Sequence, residues 1–479
     1  MLTMEVEKLV KTITSEKKET QTIETKAAHG GFPKIYDTLS SFSNQNEGGY
    51  IVFGIDETKD FELVGTYKND VQDLQHRIAE ACKQMEPEVR AVISSAEIDG
   101  KTIVVAEIPG VEYAKRPVYY KGAGIMNGSY IRVGDADEPM NGYEIYRYEA
   151  YRSHVRDDLR PIMGVDMDVL NHDKLQKYLI ELKLKRENIS NLSDETIFKL
   201  VGVCKDDHPT LASMMTFAVY PQATLPQLCI TAVLVPGTRM GDTTADGQRF
   251  ISNKKIEGTI AEMVDSAVNF VAMNMREQVG FDNNGKRIDV PEYPMKAVRE
   301  IILNALVHRD YSVYTEGMPI RIEMYKDRLE VSNPGGLYGI TTVETLGQIK
   351  AEARNSTLIS FLELLDVVEN RFSGVPTIRE EMKKAGLPEP IFRDEKGIFT
   401  VILYNARHEK KDVLVNVGQN KLLEFCRTPR SRAEITEFCG KTQYYAMKKF
   451  VEPLLQQGLL EYTIPEKPKS PAQKFRTVE

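Results

Sequence analysis

The chain has 479 residues, 42% hydrophobic and 28% charged, with 32 glycines and 22 prolines; that length suits roughly three domains of ~150 residues, and the composition excludes collagen-like, elastic and globally disordered chains. No apolar run approaches the ~18 residues of a membrane-spanning helix, so a soluble protein with no membrane partner is expected. The net charge of −8 argues against nucleic acid for the chain as a whole, but from Lys421 onward eleven basic residues stand against seven acidic ones, a local +4 suited to phosphates.

Residues 1–20 alternate charge with isolated apolar positions and build no signal-peptide core, so a cytoplasmic location is expected. The five cysteines are scattered, odd in number and never in a C-x-x-C pair, which argues against a disulfide framework and a zinc site. Residues 1–157 read as an α/β unit. An amphipathic helix opens it, a helix covers Lys34–Ser43, and a strand runs Tyr50–Ile55. Val89–Ile98 and Thr102–Ile108, separated by Asp99-Gly100-Lys101, give a hairpin signal. Ser129–Val133 reads as a further strand, and a basic, tyrosine-rich helix from Gly142 to Arg156 closes the unit.

Within it, Glu19 and Glu24 stand five residues apart with Lys26 just beyond. If Ile23–Lys26 is a strand, Glu24 and Lys26 share a face by the period of two, and both glutamates can converge with Asp56 at the end of the next strand. Three carboxylates are hard oxygen ligands for Mg²⁺ or Mn²⁺, which activate water and stabilise an in-line phosphodiester displacement; such trios are also ordinary solvated charge. Lys26 and Arg132 are placed for a phosphate or for ion pairs. The Gly48-Gly49 pair needs no more than a tight turn or a close backbone approach.

The string E-x4-E-x-K, then a helix, then F-x-N-x3-G-G-x-I-x-F-G-I-D, running on to Tyr130-Ile-Arg-Val-Gly134, resembles the Schlafen-type, Alba-like domain over residues 15–150. The resemblance implies nucleic-acid binding, to DNA or structured RNA. In animal Schlafen proteins two glutamates and an aspartate form a metal-dependent RNase site that cuts tRNA and rRNA; by position these are Glu19, Glu24 and Asp56. Many bacterial members share the acids without known cleavage, so binding and cleavage both stand as readings.

Residues 158–290 read as a connecting α/β region with a helix over Leu175–Glu187, strands over Ala212–Tyr220 and Cys229–Val235, a polar loop Gly237–Gly247 and a helix over Thr259–Glu277. A Gly/Asn-rich connector from Phe281 leads to a block at 291–410. There Glu300, Asn304 and His308 fall at i, i+4 and i+8 and share one helix face. Paired strands over Ile320–Tyr325 and Arg328–Ser332 end in Asn333-Pro-Gly335-Gly336. Arg354-Asn355, Ser373-Gly374 and a closing strand Ile398–Tyr404 follow.

This order resembles a divergent ATPase of the gyrase, histidine-kinase and MutL (GHKL) type. The resemblance implies that Glu300 orients the attacking water, Asn304 coordinates Mg²⁺, and Asn333 reads the adenine amino group where the family carries aspartate. Gly335 and Gly336 then stand for its glycine box, and Ser373-Gly374 offers N–H groups to phosphates. An asparagine carbonyl accepts a hydrogen bond but lacks the charge that strengthens one, and SNPGGL replaces D-x-G-x-G. ATP binding is the expectation; turnover is not.

Residues 418–479 carry helices over Lys421–Cys426, Arg432–Phe438 and Thr442–Gln457, then strand, wing and strand, a series that looks like a winged helix-turn-helix. Thr442, Gln443 and Tyr444 open its third helix, with Lys448 and Lys449 placed for phosphates; the same fold also serves protein contacts. Pro453 predicts a kink or an early helix end. The expected fold class is therefore multidomain α/β (α+β). The whole resembles bacterial Schlafen-type-domain, ATP-binding transcriptional regulators, with a homodimer expected; the alternative is a metal-dependent endoribonuclease effector, as in phage defence.

Overall fold

The computed structural model describes residues 3–28, 31–66, 71–281, 287–349, 352–368, 374–405, 422–423, 425–439, 446–456, 459–464, 470 and 473–477. Its first unit runs α1 (Thr3–Glu16), β1 (Ile23–Lys26), α2 (Tyr36–Ser43), β2 (Gly49–Phe53), α3 (Val71–Lys83), β3 (Val92–Ile98), β4 (Lys101–Ile108), β5 (Tyr130–Val133), β6 (Ala136–Pro139) and α4 (Gly142–Arg152). The main sheet has the order β1-β2-β4-β3, with β1 parallel to β2 and the rest antiparallel. Its central strands β2 and β4 are apolar on both faces because helices cover both. Val52, Ile103 and Val105 meet Val6, Val10 and Ile13 of α1, whereas Ile51, Phe53, Val104 and Ala106 meet α2 and α3. The β3–β4 hairpin turns on two residues rather than three, Asp99 and Gly100, both at positive φ, which is the geometry an Asp-Gly turn favours.

The glycine pair before β2 has the close-approach role expected of it. A Cβ on Gly48 would lie 2.1 Å from the Ile108 carbonyl oxygen, and one on Gly49 would lie 2.6 Å from the Phe42 ring. Asn44 brackets the unit: its amide donates to Val118 O (2.9 Å) and Tyr130 O (3.1 Å) and accepts from Val118 N (2.7 Å).

The second unit contains α5 (His172–Lys185), α6 (Asp194–Val201), α7 (Leu211–Phe217), β7 (Ile230–Leu234), β8 (Ser252–Ile256), α8 (Ile260–Asn274), the hairpin β9 (Glu277–Phe281) and β10 (Arg287–Pro291), α9 (Met295–Val307), β11 (Ile320–Met324), β12 (Arg328–Pro334), α10 (Ser356–Leu364), α11 (Gly374–Lys384), β13 (Ile391–Glu395) and β14 (Ile398–Tyr404). Six strands form one sheet, β8-β7-β11-β12-β14-β13, with β7 parallel to β11. One cross-strand row, Ala232, Ile322, Val331, Val401 and Phe392, is buried. It lies in one core with Met263 and Val264 of α8, Val298, Ile301 and Ile302 of α9, and Ile378 and Met382 of α11.

Two expectations are corrected here. The sheet crosses residue 290, so β7 and β8 belong with the strands of 291–410 rather than to a separate connector. Ala212–Tyr220 is not a strand: Leu211–Phe217 is helical, with every residue buried and Thr210 Oγ1 accepting from Ser213 N at 3.3 Å. A short run that is apolar all round cannot be told from a buried helix by period, and here the cap decides.

The last unit has β15 (Arg430–Ser431), α12 (Arg432–Cys439), α13 (Glu452–Gln456), β16 (Leu460–Tyr462) and β17 (Lys474–Thr477), with antiparallel sheet order β15-β17-β16. Ile435, Val451, Leu454, Leu460 and Phe475 are buried in its core. Before Pro453 the turn Met447–Val451 is π-helical, the widening expected where a pyrrolidine ring removes a donor and crowds the preceding turn.

Candidate nucleotide and nucleic-acid sites

β1 sets Glu24 and Lys26 on one face, as the period of two requires, and they form an ion pair. The second oxygen of Glu24 lies 2.9 Å from Arg132 on β5. Arg132, its side chain 1% exposed, also donates to Asp137 Oδ1 (2.9 Å) and to the carbonyls of Thr20 and Ile23 (3.2 Å each). Its guanidinium is thus a buried cross-link, not a surface cation, and Lys26 is likewise committed to Glu24. Burial would lower Lys26, but the Glu24 carboxylate outweighs it and raises the ammonium above its ordinary value.

Glu19 accepts from Thr25 N (2.7 Å) and Thr25 Oγ1 (2.8 Å). Burial, offset by Thr25 and reinforced by the Glu24 and Glu57 carboxylates, pushes its pKa from 4.5 up to about 7. Asp56 does not join it. Its Oδ1 accepts from Thr58 N (3.1 Å) and Thr58 Oγ1 (2.6 Å), its Oδ2 lies 3.5 Å from Lys59, and it caps the turn Glu57–Lys59. The Thr58 hydrogen bond, with Lys59, holds its pKa below the usual value. The carboxylate that acts on Glu19 besides Glu24 is Glu57, not Asp56, a distinction that the Asp56-Glu57 tandem hides in the sequence. No cluster of three His, Cys, Asp or Glu able to hold a metal ion occurs among the described residues. With Glu24 bound by two cations and Asp56 capping a turn, this donor set does not fit Mg²⁺ or Mn²⁺.

The Glu19 shift fixes a pH dependence. Its folded value is raised, so the folded chain holds that proton more tightly, and stability falls as pH rises from about 4.5 to about 7. Glu19→Gln keeps the acceptor for Thr25 and is expected to stabilise the chain at pH 8 by about 1–2 kcal/mol, discounted for partial exposure, and by nothing at pH 4. Urea titrations at the two pH values check this.

In the second unit, α9 presents Glu300 and Asn304 one turn apart, and Asn304 Nδ2 donates to Glu300 Oε1 at 3.1 Å. That bond leaves the Asn304 carbonyl oxygen for a cation. Gly374, the first residue of α11, lies directly on this pair: a Cβ there would come within 2.5 Å of Glu300 Oε1 and 2.9 Å of Asn304 Nδ2. Gly374 of α11 therefore abuts the two side chains. Ser373 lies outside the described residues. Asn333, next to the end of β12, lies on the same face as Leu329 and Val331; it is buried, and its Oδ1 has no hydrogen-bond partner among the described residues. An orphaned carbonyl of this kind fits the amino donor of an adenine. ATP with Mg²⁺ therefore fits the residues present: Asn333 for the base, Asn304 for the cation, and Gly374 with Glu300 beside the phosphates.

Gly335 and Gly336 do not take the glycine-box role. A Cβ on Gly335 would lie 2.3 Å from Asp310 and 2.6 Å from Arg354, and one on Gly336 would lie 2.4 Å from Asp394 and 3.1 Å from Arg147. Protein side chains, one of them from α4, fill the space against these glycines. In the last unit, Thr442, Gln443 and Tyr444 lie outside the described residues; Lys448 is exposed, and of Lys449 only the backbone is described. No helix among the described residues is long and apolar enough to cross a membrane.

Residues 19–141 match the family model described as "Schlafen, AlbA_2". Residues 317–403 match "Putative ATP-dependent DNA helicase recG C-terminal", and residues 427–477 match "Filamentation induced by cAMP protein Fic-like, C-terminal domain". Among solved structures, the DIP2311 protein of Corynebacterium diphtheriae is 18% identical over 92% of this chain and 91% of its own, with a TM-score of 0.39. The N-terminal domain of a "Putative ATP-dependent DNA Helicase RecG-related Protein" from Nitrosomonas europaea is 25% identical over 28% of this chain and 92% of its own, with a TM-score of 0.23. No curated protein matches the chain. The chain thus carries an N-terminal segment that matches the Schlafen, AlbA_2 model and an ATPase-type segment that matches the RecG C-terminal model.

Proposed function

We propose that the protein is a cytoplasmic, nucleic-acid-binding regulator whose ATPase-type domain binds ATP and Mg²⁺ without needing to hydrolyse it. The observation that carries the nucleotide reading is the seating of Gly374 on the Glu300–Asn304 pair. Bound Mg²⁺ would offset phosphate charge; the chain's own residues orient and enclose the nucleotide. ATP with Mg²⁺ is expected to raise the melting temperature, in keeping with ~2.7 kcal/mol of stabilisation at a hundredfold excess over Kd. Asn304→Ala is expected to remove most of that shift. Millimolar ATP giving neither heat nor shift would reject the reading.

The family descriptions over 19–141 and 317–403 support nucleic acid as the partner. Since Lys26 and Arg132 are committed to carboxylates, we assign the phosphate contacts to the basic last unit, read as a winged helix. Lys448→Ala with Lys449→Ala is expected to reduce the log–log salt slope of duplex DNA binding by up to about two units, at ~0.9 per phosphate contact. Fluorescence anisotropy over a salt series measures this; an unchanged slope would move the unit to protein contacts. Exposed Ile180 and Leu184, one turn apart on α5, support a homodimer. The endoribonuclease alternative finds no metal-holding carboxylate trio among the described residues to support it.

A further inference from the structure

Helix α4 leaves the first domain by one face. Tyr143, Arg147 and Tyr151 stand at i, i+4 and i+8, and each reaches the ATPase-type domain. Tyr143 Oη donates to Asp310 Oδ2 (2.7 Å), Arg147 Nη2 to Leu337 O (2.7 Å) and Tyr151 Oη to Glu352 Oε1 (3.1 Å). Each also presses on a glycine: an added Cβ would lie 2.8 Å from the Tyr143 ring at Gly397, 3.1 Å from the Arg147 guanidinium at Gly336, and 2.8 Å from the Tyr151 ring at Gly339. Three glycines of one domain thus seat successive turns of a helix from the other. Larger residues there would lift the helix off, and the polar ends would lose their partners.

Hydrogen bonds tie this seat to the elements that carry the proposed nucleotide residues. Asp310, the acceptor for Tyr143, follows the end of α9 by three residues, and its backbone N–H donates to Pro334 O at 3.1 Å. It therefore ties the helix bearing Glu300 and Asn304 to the residue next to Asn333. Beyond Pro334 the turn is held by Gly335 N donating to Gly397 O (2.9 Å), Arg354 Nη2 donating to Gly336 O (3.0 Å) and Leu337 N donating to Asp394 Oδ2 (3.0 Å). Arg354 Nη1 lies 3.6 Å from Asp310. Burial would raise Asp310, but Arg354 and the Tyr143 hydroxyl outweigh it and keep the carboxyl below its usual value. The end of α9 and the strand end that carries Asn333 are thereby both tied to groups that α4 holds.

We propose that Tyr143 and Arg147, carried by the helix that closes the first domain, are positioning residues for the nucleotide site of the second, which is incomplete unless α4 is docked on its glycine seat. The inference rests on the nucleotide reading above and adds its regulation. Because α4 continues directly from the AlbA_2 match, a ligand that shifts the first domain acts on nucleotide affinity through this helix, and nucleotide acts back by the same factor.

The test is calorimetric Kd for ATP with Mg²⁺ in the full chain. Tyr143→Phe and Arg147→Met are each expected to weaken binding about tenfold, the scale of one hydrogen bond involving a charged group. Arg147→Lys, which keeps a donor for Leu337 O, should recover most of that loss. Tyr143→Phe combined with Asn333→Ala should weaken binding by less than the product of the single effects. A merely structural α4 would lower the nucleotide-free melting temperature and leave Kd alone, and that result overturns the inference. Should Arg147→Met fail to fold, Tyr143→Phe, which deletes a single oxygen, decides. A wild type that binds no ATP would reject the proposed function and the inference together; a wild type that binds, with variants binding equally well, would reject only the inference.

Discussion

Arg132→Ala is expected to destabilise the first domain by about 3–5 kcal/mol, because it strands a buried carboxylate pair that one guanidinium now serves. Glu24 and Asp137 each lie 2.9 Å from that guanidinium, with side chains only 9% and 13% exposed. Asp137 would keep the hydroxyls of Thr38 (2.7 Å) and Ser41 (2.6 Å), but Glu24 would be left with Lys26 alone. The Phe42 ring, 5.1 Å beneath the guanidinium, would lose its cover as well. Urea unfolding followed by tyrosine fluorescence should show the early loss of this domain, whereas Lys18→Ala, in an exposed pair with Glu16, should move the midpoint little. A loss below about 1 kcal/mol for Arg132→Ala would mean that the carboxylates find water instead.

Gly374→Ala is expected to abolish the ATP-dependent thermal shift while leaving the nucleotide-free chain folded. The added methyl would lie 2.5 Å from Glu300 Oε1 and 2.9 Å from Asn304 Nδ2, and both atoms are the far ends of flexible side chains that can swing aside together. The backbone at 374 is helical and alanine favours a helix by about 1 kcal/mol over glycine, so the fold gains slightly while the pair is displaced. Differential scanning fluorimetry with and without ATP and Mg²⁺ separates the two effects. A retained shift would place the nucleotide away from α11, and an unfolded variant would show that the pair cannot swing.

Periodicity made part of this legible. The two-residue period of β1 put Glu24 beside Lys26, and the 3.6-residue period of α9 put Glu300 above Asn304, because both relations are local. Local spacing also hid the errors. Gly335 and Gly336 look like a nucleotide-binding turn, yet what approaches Gly336 is Asp394 together with Arg147, which donates to a carbonyl 190 residues away. A glycine reports that something comes close, never what. For Arg132 the sequence leaves a phosphate and an ion pair both open, because nothing on a short strand foretells that two carboxylates will enclose and bury it. Asp158 gave no signal at all, although its carboxylate caps α10 by accepting from Thr357 N (2.7 Å) and Leu358 N (3.2 Å).

The parallel pairing of β7 with β11 bears on how the chain can be divided and made. Residues Ile230 and Ile320, paired neighbours in the sheet, are separated by strand β8, two helices and a hairpin, so ribosomal synthesis must run past 320 before β7 finds its central neighbour and to 404 before the sheet is complete. Long-range pairing of this kind slows folding and keeps strand edges open meanwhile. A fragment beginning at 291 would lack β7, β8 and α8, baring the edge of β11 with its apolar Ile320 and Ile322. Such an edge templates self-association, so proteolytic or recombinant separation of the ATPase-type domain should cut before the connecting helices at about residue 158, not inside the sheet.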